Sequence, residues 1–302
     1  MRQLKQPRNP RYSIVIPAYN EQRLIGKCLD SLADQKTTVS YEVIVVDNNC
    51  TDETARVARE HGAHLIKEPN PGVCWARQAG LEAAKGEIII STDADSTYSP
   101  NWLQKIDDHM TKEDVVAVGG TVTYTGDIWW ANIWSGMLFG FSEAWRKTFG
   151  QPCYISACNL AFRKDAVSAY ETNLTQGGDE LAILKQLKQN GTVALELNNT
   201  VHTSGRRQSR GFTYNFFITF LWYYLLGYNL SRLTNKTVFG GYPAFRDFRK
   251  HTSTPVFNKL LPRLSALMIV AVLLFRAHPA RAAHFIQKVP GQINNYLHDR
   301  DR

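Results

Sequence analysis

Two aspartates, Asp93 and Asp95, are separated by a single residue and follow shortly after the run Glu87-Ile-Ile-Ile90. Mg²⁺ and Mn²⁺ prefer oxygen ligands, and Mg²⁺ commonly binds one or two carboxylates together with substrate phosphates. If the turn points both side chains the same way, they can hold a cation that stabilises a departing diphosphate. An isolated Asp-x-Asp triplet is also common among solvated loop acids and helix caps, so its surroundings decide its meaning.

A second acidic pair, Asp179 and Glu180, follows two glycines and opens a stretch with leucines at 181, 184 and 187. That spacing predicts a helix with one buried face and both acids at its first turn. A carboxylate can act as general base if it comes within hydrogen-bond reach of an acceptor hydroxyl. Acids also favour helix N-termini without any catalytic role, but that preference does not explain the glycines.

The elements that position these acids are short β-branched runs alternating with helical patterns. The runs at 13–16, 41–46, 63–66, 87–90 and 115–118 are continuously apolar, as parallel strands covered on both faces are. Helices are predicted between them, the first with a single apolar stripe, the second after Thr51 and another from Ser99-Pro100. This order predicts an α/β sandwich with a mostly parallel sheet.

Four polar clusters follow the predicted strands, at 17–21, 47–52, 69–72 and 93–95. In open α/β sheets, ligands bind beyond the carboxyl ends of the strands. We therefore expect the four clusters to line one binding site.

Four motifs follow one another along the first half of the chain. In order, they are Ile14-Val-Ile-Pro-Ala-Tyr-Asn-Glu21, Val43-Ile-Val-Val-Asp-Asn-Asn-Cys-Thr-Asp-Glu-Thr54, Pro71-Gly-Val-Cys-Trp-Ala-Arg-Gln-Ala-Gly80 and Ser91-Thr-Asp-Ala-Asp95. Together they resemble the N-terminal half of family 2 of the inverting glycosyltransferases, over roughly residues 12–205. The resemblance implies a GT-A nucleotide-sugar-binding sandwich, an enzyme, a UDP-, GDP- or dTDP-linked sugar as donor, and Mg²⁺ or Mn²⁺ as cofactor. The family's Gln-x-x-Arg-Trp signature of processive polymerases has no counterpart here, which favours transfer of a single sugar.

On the donor side, the resemblance implies that a nucleotide pocket is lined by Pro17, Ala18, Tyr19 and Glu21. It implies that Asp47 binds the base or ribose, that Arg77 lies near the donor, and that Asp93 contacts donor and metal. Simpler roles are a helix-capping acid for Asp47, packing on its own helix for Tyr19 and a surface salt bridge for Arg77.

On the acceptor side, aligning the downstream apolar residues places Asp179 on the family's catalytic Asp, with Glu180 as the alternative base. Asn159 is expected to bind a sugar hydroxyl or to cap a strand. Arg206 and Arg207 suit a diphosphate or an anionic acceptor. His202 is a third candidate metal ligand beside Asp93 and Asp95, although a lone histidine is more often structural.

The C-terminal part of the chain has a different character. Residues 203–302 contain 15 Lys and Arg against 3 Asp and Glu; subtraction from the totals of 35 and 27 leaves 20 against 24 for residues 1–202. The basic part contains an uncharged aromatic run at 211–231 and a shorter apolar run at 264–275. We expect residues 1–11 to be an N-terminal arm, 12–205 the GT-A domain, and 206–302 a helical, basic tail on a membrane surface.

The remaining expectations concern surroundings and partners. The five cysteines show no metal-site or disulfide spacing, and the N-terminus lacks the apolar core of a secretory signal, so we expect the cytoplasmic face of the cell membrane. A lipid or glycan acceptor is expected, and no nucleic acid.

Several alternatives stay open. The tail could instead be a helical subdomain packed on the α/β domain. The tryptophans of the 129–145 segment could line an acceptor pocket, fill the core or face a membrane. A nucleotidyltransferase and a non-catalytic nucleotide-sugar-binding adaptor are the alternative functions.

Overall fold

A computed structural model describes residues 3–172 and 179–216 of the chain. Contacts divide the chain into two units, Met1–Phe216 and Phe217–Arg302. The domain boundary expected after residue 205 stays a prediction. The apolar run at 264–275 and most of the run at 211–231 lie outside the described residues, as do Gly177 and Gly178. Within the described ranges, no helix is both long and apolar enough to cross a membrane.

The described unit is built on one eight-stranded sheet with the order β3-β2-β1-β4-β7-β6-β8-β5. Strands β7 and β5 run antiparallel to their neighbours, and the others share one direction. The strands are β1 Tyr12–Ala18, β2 Tyr41–Asp47, β3 His64–Lys67, β4 Ile88–Ser91, β5 Ser96–Tyr98, β6 Val115–Thr125, β7 Leu160–Arg163 and β8 Thr192–Ser204. The five strands predicted from apolar runs are all present.

Helices fill the connections between the strands. Among the described residues they are α1 Ile25–Ala33, α2 Thr54–Glu60, α3 Val73–Ala83, α4 Trp102–Met110, α5 Trp129–Phe149, α6 Asp179–Asn190 and α7 Phe212–Tyr214, with short 3₁₀ turns at Lys164–Ala166 and Gln208–Arg210. Two start slightly later than predicted. Asp52, rather than Thr51, accepts the exposed N–H of Thr54 at 3.0 Å, and α4 begins beyond Pro100.

Both faces of the sheet are covered, which confirms the predicted α/β sandwich. Ile14 and Ile16 of β1 point to the core formed with α1 and α4, which includes Trp102. Val15, between them, points to the opposite core, where Phe162 of β7 and Ile183 of α6 pack. A strand buried on both faces is apolar at every position, and this is why β1 has no alternating pattern.

The parallel register brings the predicted polar clusters to one edge. Ala18 at the end of β1 pairs with Asp47 at the end of β2, and Ser91 at the end of β4 pairs with Val15 of β1. The segments that follow these ends therefore emerge side by side. The antiparallel strands β5 and β7 were not foreseen in the sheet order.

Close packing of α3 on the sheet makes Gly80 a sensitive position. A Cβ there would lie 2.1 Å from Cγ1 of Val15, in the buried core. We expect Gly80→Ala to lower the free energy of unfolding by about 1–3 kcal/mol, because overpacking outweighs the better helix propensity. Gly136→Ala in α5 is the matched control: no atom lies within 4 Å of its Cβ, so it should gain about 0.5–1 kcal/mol. Urea unfolding of both variants measures the difference, and equal effects would contradict this packing.

Candidate active site

The centre of the site is the guanidinium group of Arg77, on the second turn of α3. Its Nη2 donates to Oδ1 of Asp93 at 3.0 Å, and its Nη1 donates to Oδ2 of Asp179. The side chains of Arg77 and Asp179 are 6% and 7% exposed, so this ion pair is shielded from water. Arg77 is thus no surface salt bridge. It joins the Asp-x-Asp turn after β4 to the first residue of α6.

The two carboxylates that share Arg77 have pKa values shifted in opposite directions. Burial raises the pKa of Asp93 above its ordinary value, against the opposing charge of Arg77. Burial also disfavours the charged form of Asp179, but there the charge and hydrogen bonds of Arg77, with a hydrogen bond from Glu180, prevail and hold its pKa below the ordinary range. Asp179 is therefore ionised at neutral pH, as a proton acceptor must be.

A second arginine, Arg206, follows β8 and binds the other aspartate, Asp95. Its Nη2 lies 2.8 Å from Oδ2 of Asp95 and 2.8 Å from Oε1 of Glu21. Thr203 of β8 donates its hydroxyl to the other oxygen of Asp95 at 3.1 Å. The hydroxyl and the guanidinium together fix the Asp95 carboxylate, and Arg206 is the cation that faces it.

The residues present fit a hard divalent cation. Asp93 and Asp95 offer carboxylate oxygens at the end of β4. Within the described ranges, no group of three or more His, Cys, Asp or Glu side chains could hold a metal, so the protein would supply two carboxylates at most from this turn. Two carboxylates suit an ion whose other ligands are diphosphate oxygens and water.

The structure does not bring His202 to these acids, which corrects its assignment as a third ligand. Its neighbour Thr203 points to Asp95, and side chains alternate between the faces of a strand. His202 is exposed, with Nδ1 2.7 Å from the hydroxyl of Thr123.

The segments expected to line the nucleotide pocket lie at the ends of β1 and β2. Pro17 and Tyr19 are half-buried, and Ala18 is buried. Asp47 accepts the N–H of Cys50 at 2.9 Å, so it stabilises the turn after β2 and is not the cap of α2. Glu21 is 4% exposed and binds Arg206, which gives it a role in positioning that arginine.

Asn48 is a residue that the motifs did not single out, although it organises this edge. Its Nδ2 donates to the carbonyl oxygens of Glu68 and Asn70 at 3.0 and 2.7 Å. Its Oδ1 accepts the N–H of Gly72 at 2.8 Å, and Gly72 has a φ of 132°, which favours glycine. Asn48 thereby fixes the start of α3 and the direction in which Arg77 projects. Its place in the polar cluster at 47–52 was its only sequence signal.

Asn159 is a structural residue, which corrects its assignment to the acceptor pocket. It is 1% exposed. Its Nδ2 donates to the carbonyl oxygens of Thr121 and Asn199 at 2.9 and 2.7 Å, and its Oδ1 accepts the indole N–H of Trp102 at 2.9 Å. A buried amide must satisfy its donors, and Asn159 does so by joining β6, β8 and α4.

The remaining acceptor-side residues are Glu180, Arg206 and Arg207. Glu180 is buried beside Asp179, and the positive charge of Arg207 opposes the rise in the pKa of Asp93. A cleft of about 570 Å³ is lined by Arg206, Gln208 and Trp130, among others. Oε1 of Gln208 is buried and has no hydrogen-bond partner. Of the four tryptophans considered for an acceptor pocket, Trp130 lines this cleft.

Residues 13–170 match the family model described as Glycosyl transferase family 2. This range is more than half of the 302-residue chain and contains the β1, β2, α3 and β4 motifs that meet around Arg77. The chain belongs to glycosyl transferase family 2. Membership confirms the resemblance noted from the motifs.

Curated relatives in the family include glycosyltransferase AglE of Haloferax volcanii, 35% identical over 123 residues, which cover 38% of this chain and 40% of AglE. The glucosyl-dolichyl phosphate glucuronosyltransferase of the same organism is 28% identical over 191 residues, covering 56% of this chain and 58% of that protein. The chain thus spans about two fifths to three fifths of the length of these relatives.

Solved structures show the same GT-A fold. The mannosyltransferase PcManGT of Pyrobaculum calidifontis, in complex with GDP-Man and Mn²⁺, superimposes with a TM-score of 0.56 at 18% identity, covering 95% of this chain and 87% of that one. S. aureus TarS 1-349, in complex with UDP-GlcNAc, gives 0.51 at 15% identity over 78% of this chain and 69% of that one.

The buried charge cluster makes Arg77 essential for stability. We expect Arg77→Gln to lower the free energy of unfolding by about 3–5 kcal/mol, because it leaves the buried carboxylate of Asp179 without its guanidinium partner. Arg56→Gln on α2, which removes an exposed arginine paired with Glu53 and Glu60, should have no measurable effect. Urea unfolding measures both, and adding Asp179→Asn to Arg77→Gln should recover part of the loss. Equal stability of the two single variants would contradict the role given to Arg77.

Proposed function

We propose that the protein is a metal-dependent, inverting glycosyltransferase that moves one sugar from a nucleoside-diphosphate sugar to an acceptor hydroxyl or lipid phosphate. We place it at the cytoplasmic face of the cell membrane. The observation that carries the proposal is the shared guanidinium of Arg77, which links the metal-site acid Asp93 to the expected base Asp179. A leaving-group site and a proton acceptor so close together suit direct displacement of a diphosphate.

The donor is proposed to bind over the ends of β1, β2 and β4. The nucleotide would lie against the 17–21 and 47–52 segments, and its diphosphate would face Asp93, Asp95 and Arg206. The GDP-Man and Mn²⁺ bound by PcManGT, and the UDP-GlcNAc bound by TarS, support a nucleotide sugar and a divalent metal for this fold. Both Mg²⁺ and Mn²⁺ agree with the carboxylate ligands.

When bound, the metal ion would neutralise charge that develops on the leaving diphosphate. The acceptor oxygen forms a bond to the anomeric carbon while the bond from that carbon to the diphosphate breaks on the opposite face, which inverts the configuration. Asp179 takes the proton of the acceptor hydroxyl. Arg77 keeps Asp179 ionised and oriented, and the released product is a nucleoside diphosphate.

The low pKa of Asp179 bears on the choice of acceptor. A carboxylate held ionised by Arg77 is a weak base, because an efficient general base has a pKa near the working pH. A lipid phosphate is already an anion and would need orientation by Asp179 rather than deprotonation, so an ionised Asp179 agrees with a lipid phosphate as well as with a hydroxyl. The relative named as acting on glucosyl-dolichyl phosphate supports a lipid-linked acceptor.

The membrane location rests on composition. Residues 203–302 carry a net charge of 15 minus 3, or +12, and the uncharged run at 211–231 is rich in aromatic residues. Basic residues attract anionic lipids, and aromatic residues favour the membrane interface.

Replacement of the two key acids tests the reaction. We expect Asp179→Asn to lower transfer by about 10²–10⁴-fold, through loss of the proton acceptor. Asp95→Asn should lower it by about 10²-fold or more, through loss of charge at the diphosphate. Asp108→Asn, an exposed carboxylate on α4, is the control and should leave the rate unchanged.

The assay measures nucleoside diphosphate release from UDP-, GDP- and dTDP-sugars with Mn²⁺, with and without membrane lipids. Full transfer by folded Asp95→Asn would contradict the proposal. Release of pyrophosphate would indicate a nucleotidyltransferase, and donor binding without turnover a non-catalytic adaptor.

A further inference from the structure

Helix α5 presents large apolar side chains to solvent along its whole length. The members are one turn apart, at four-residue intervals, and their exposed fractions range from 40% to 71%: Trp129, Ile133, Met137, Phe141, Trp145 and Phe149. We call these six residues the aromatic face. Side chains four residues apart lie next to each other on a helix, but each step of four residues turns by about 40° around the helix axis. The aromatic face therefore winds around α5, and its central members Ile133, Met137 and Phe141 lie within about 80° of one another.

The side of α5 that faces the protein is made mainly of small residues. Its buried positions are Ala131, Ser135, Phe139 and Ser142. Ser135 donates to the carbonyl of Val122 at 2.6 Å, and Ser142 donates to the carbonyl of Tyr154 at 2.8 Å. A surface helix normally buries its apolar stripe and exposes its polar one. Since α5 is anchored by hydroxyls and small side chains, its aromatic face contributes little to holding the fold together.

The apolar surface continues from α5 to the last described residues. The ring of Phe212, 49% exposed, lies 5.5 Å from that of Trp130 and 6.5 Å from that of Trp134. Phe216 lies 6.2 Å from Trp134. In the sequence, Phe212 and Phe216 belong to the uncharged aromatic run at 211–231, so this surface includes residues of that run.

The charges around the aromatic face suit a lipid surface. The charged residues of α5 are Glu143, Arg146 and Lys147, a net charge of +1. Glu143 is neutralised by two contacts from Arg146 at 2.7 and 2.8 Å, while Lys147 is 72% exposed. Tryptophan and phenylalanine on one face, with basic residues beside it, are the composition of a helix lying in a membrane interface.

We propose that α5 lies along the bilayer surface with the centre of its aromatic face, Ile133, Met137 and Phe141, in the boundary between headgroups and acyl chains. The catalytic domain then contacts the membrane directly, in addition to any contact made by residues 217–302. The inference deepens the proposed function and rests on it for the lipid-linked acceptor. The cleft that contains Trp130 and Arg206 lies at the N-terminal end of α5 and would open beside the membrane.

A photo-cross-linking amino acid at Met137 in the full chain identifies what covers the face. Vesicles of phosphatidylcholine and phosphatidylglycerol are added before illumination, and mass spectrometry locates the products. We expect lipid adducts at position 137 and none at the control position Thr38, an exposed loop residue between α1 and β2. Cross-links from position 137 only to a second copy of the chain, or only to residues 217–302, would overturn the proposal.

Charge substitution provides an independent measurement. We expect Phe141→Glu to reduce vesicle partitioning by about tenfold or more, because an apolar side chain that inserts is replaced by a carboxylate. Thr38→Glu adds the same charge elsewhere and should change partitioning much less. Equal partitioning of the two variants would overturn the role of the aromatic face.

Donor hydrolysis in the same samples separates the two proposals. Nucleoside diphosphate release that is unchanged in Phe141→Glu shows that the variant is folded. If the wild-type protein binds vesicles through α5 but releases no nucleoside diphosphate, the result contradicts the proposed function and supports the membrane contact.

Discussion

Electrostatic balance at the edge of the sheet is the constraint on which the site depends. Among the described residues, the carboxylates of Glu21, Asp93, Asp95 and Asp179 converge there and form ion pairs with the guanidinium groups of Arg77 and Arg206. Glu180 lies beside Asp179, and the charge of Arg207 acts on Asp93. Like charges in a partly buried site repel strongly. A divalent cation beside Asp93 and Asp95 would offset part of this negative charge. Burial raises the pKa of Asp93, and the charges of Asp95 and Asp179 add to the rise while Arg77 opposes it.

The fold brings these charges together from distant parts of the sequence. The parallel strands β1, β2 and β4 end at one edge and supply Glu21, the Asn48 turn and the two aspartates. Asn48 fixes the loop before α3 and so directs Arg77 inward. From the other half of the sheet, β8 contributes Thr203 and Arg206, and α6 contributes Asp179 at its first residue. Each half therefore completes the charge balance of the other.

The sequence was sufficient to predict what depends on local pattern. Apolar runs predicted five of the strands, although β3, at the edge of the sheet, is not buried. Motif order predicted that Asp93, Asp95 and Asp179 belong together. It was insufficient where a polar side chain could either face the site or satisfy a buried partner. Asn159 and His202 were assigned to the site by their position in the chain, but Asn159 joins three elements in the interior and His202 lies on the opposite face of β8. Neighbouring residues of a strand point to opposite faces, so the hydrogen bond from Thr203 to Asp95 places His202 on the other face. The sequence does not show that hydrogen bond.

Competition between Arg206 and a divalent cation for Asp95 tests this charge balance most directly. The measurement is Mn²⁺ affinity by electron paramagnetic resonance, without donor, for the wild-type protein and Arg206→Gln. The account predicts tighter Mn²⁺ binding by Arg206→Gln, because the guanidinium that lies 2.8 Å from Asp95 is gone. Unchanged or weaker Mn²⁺ binding by the folded variant would contradict it.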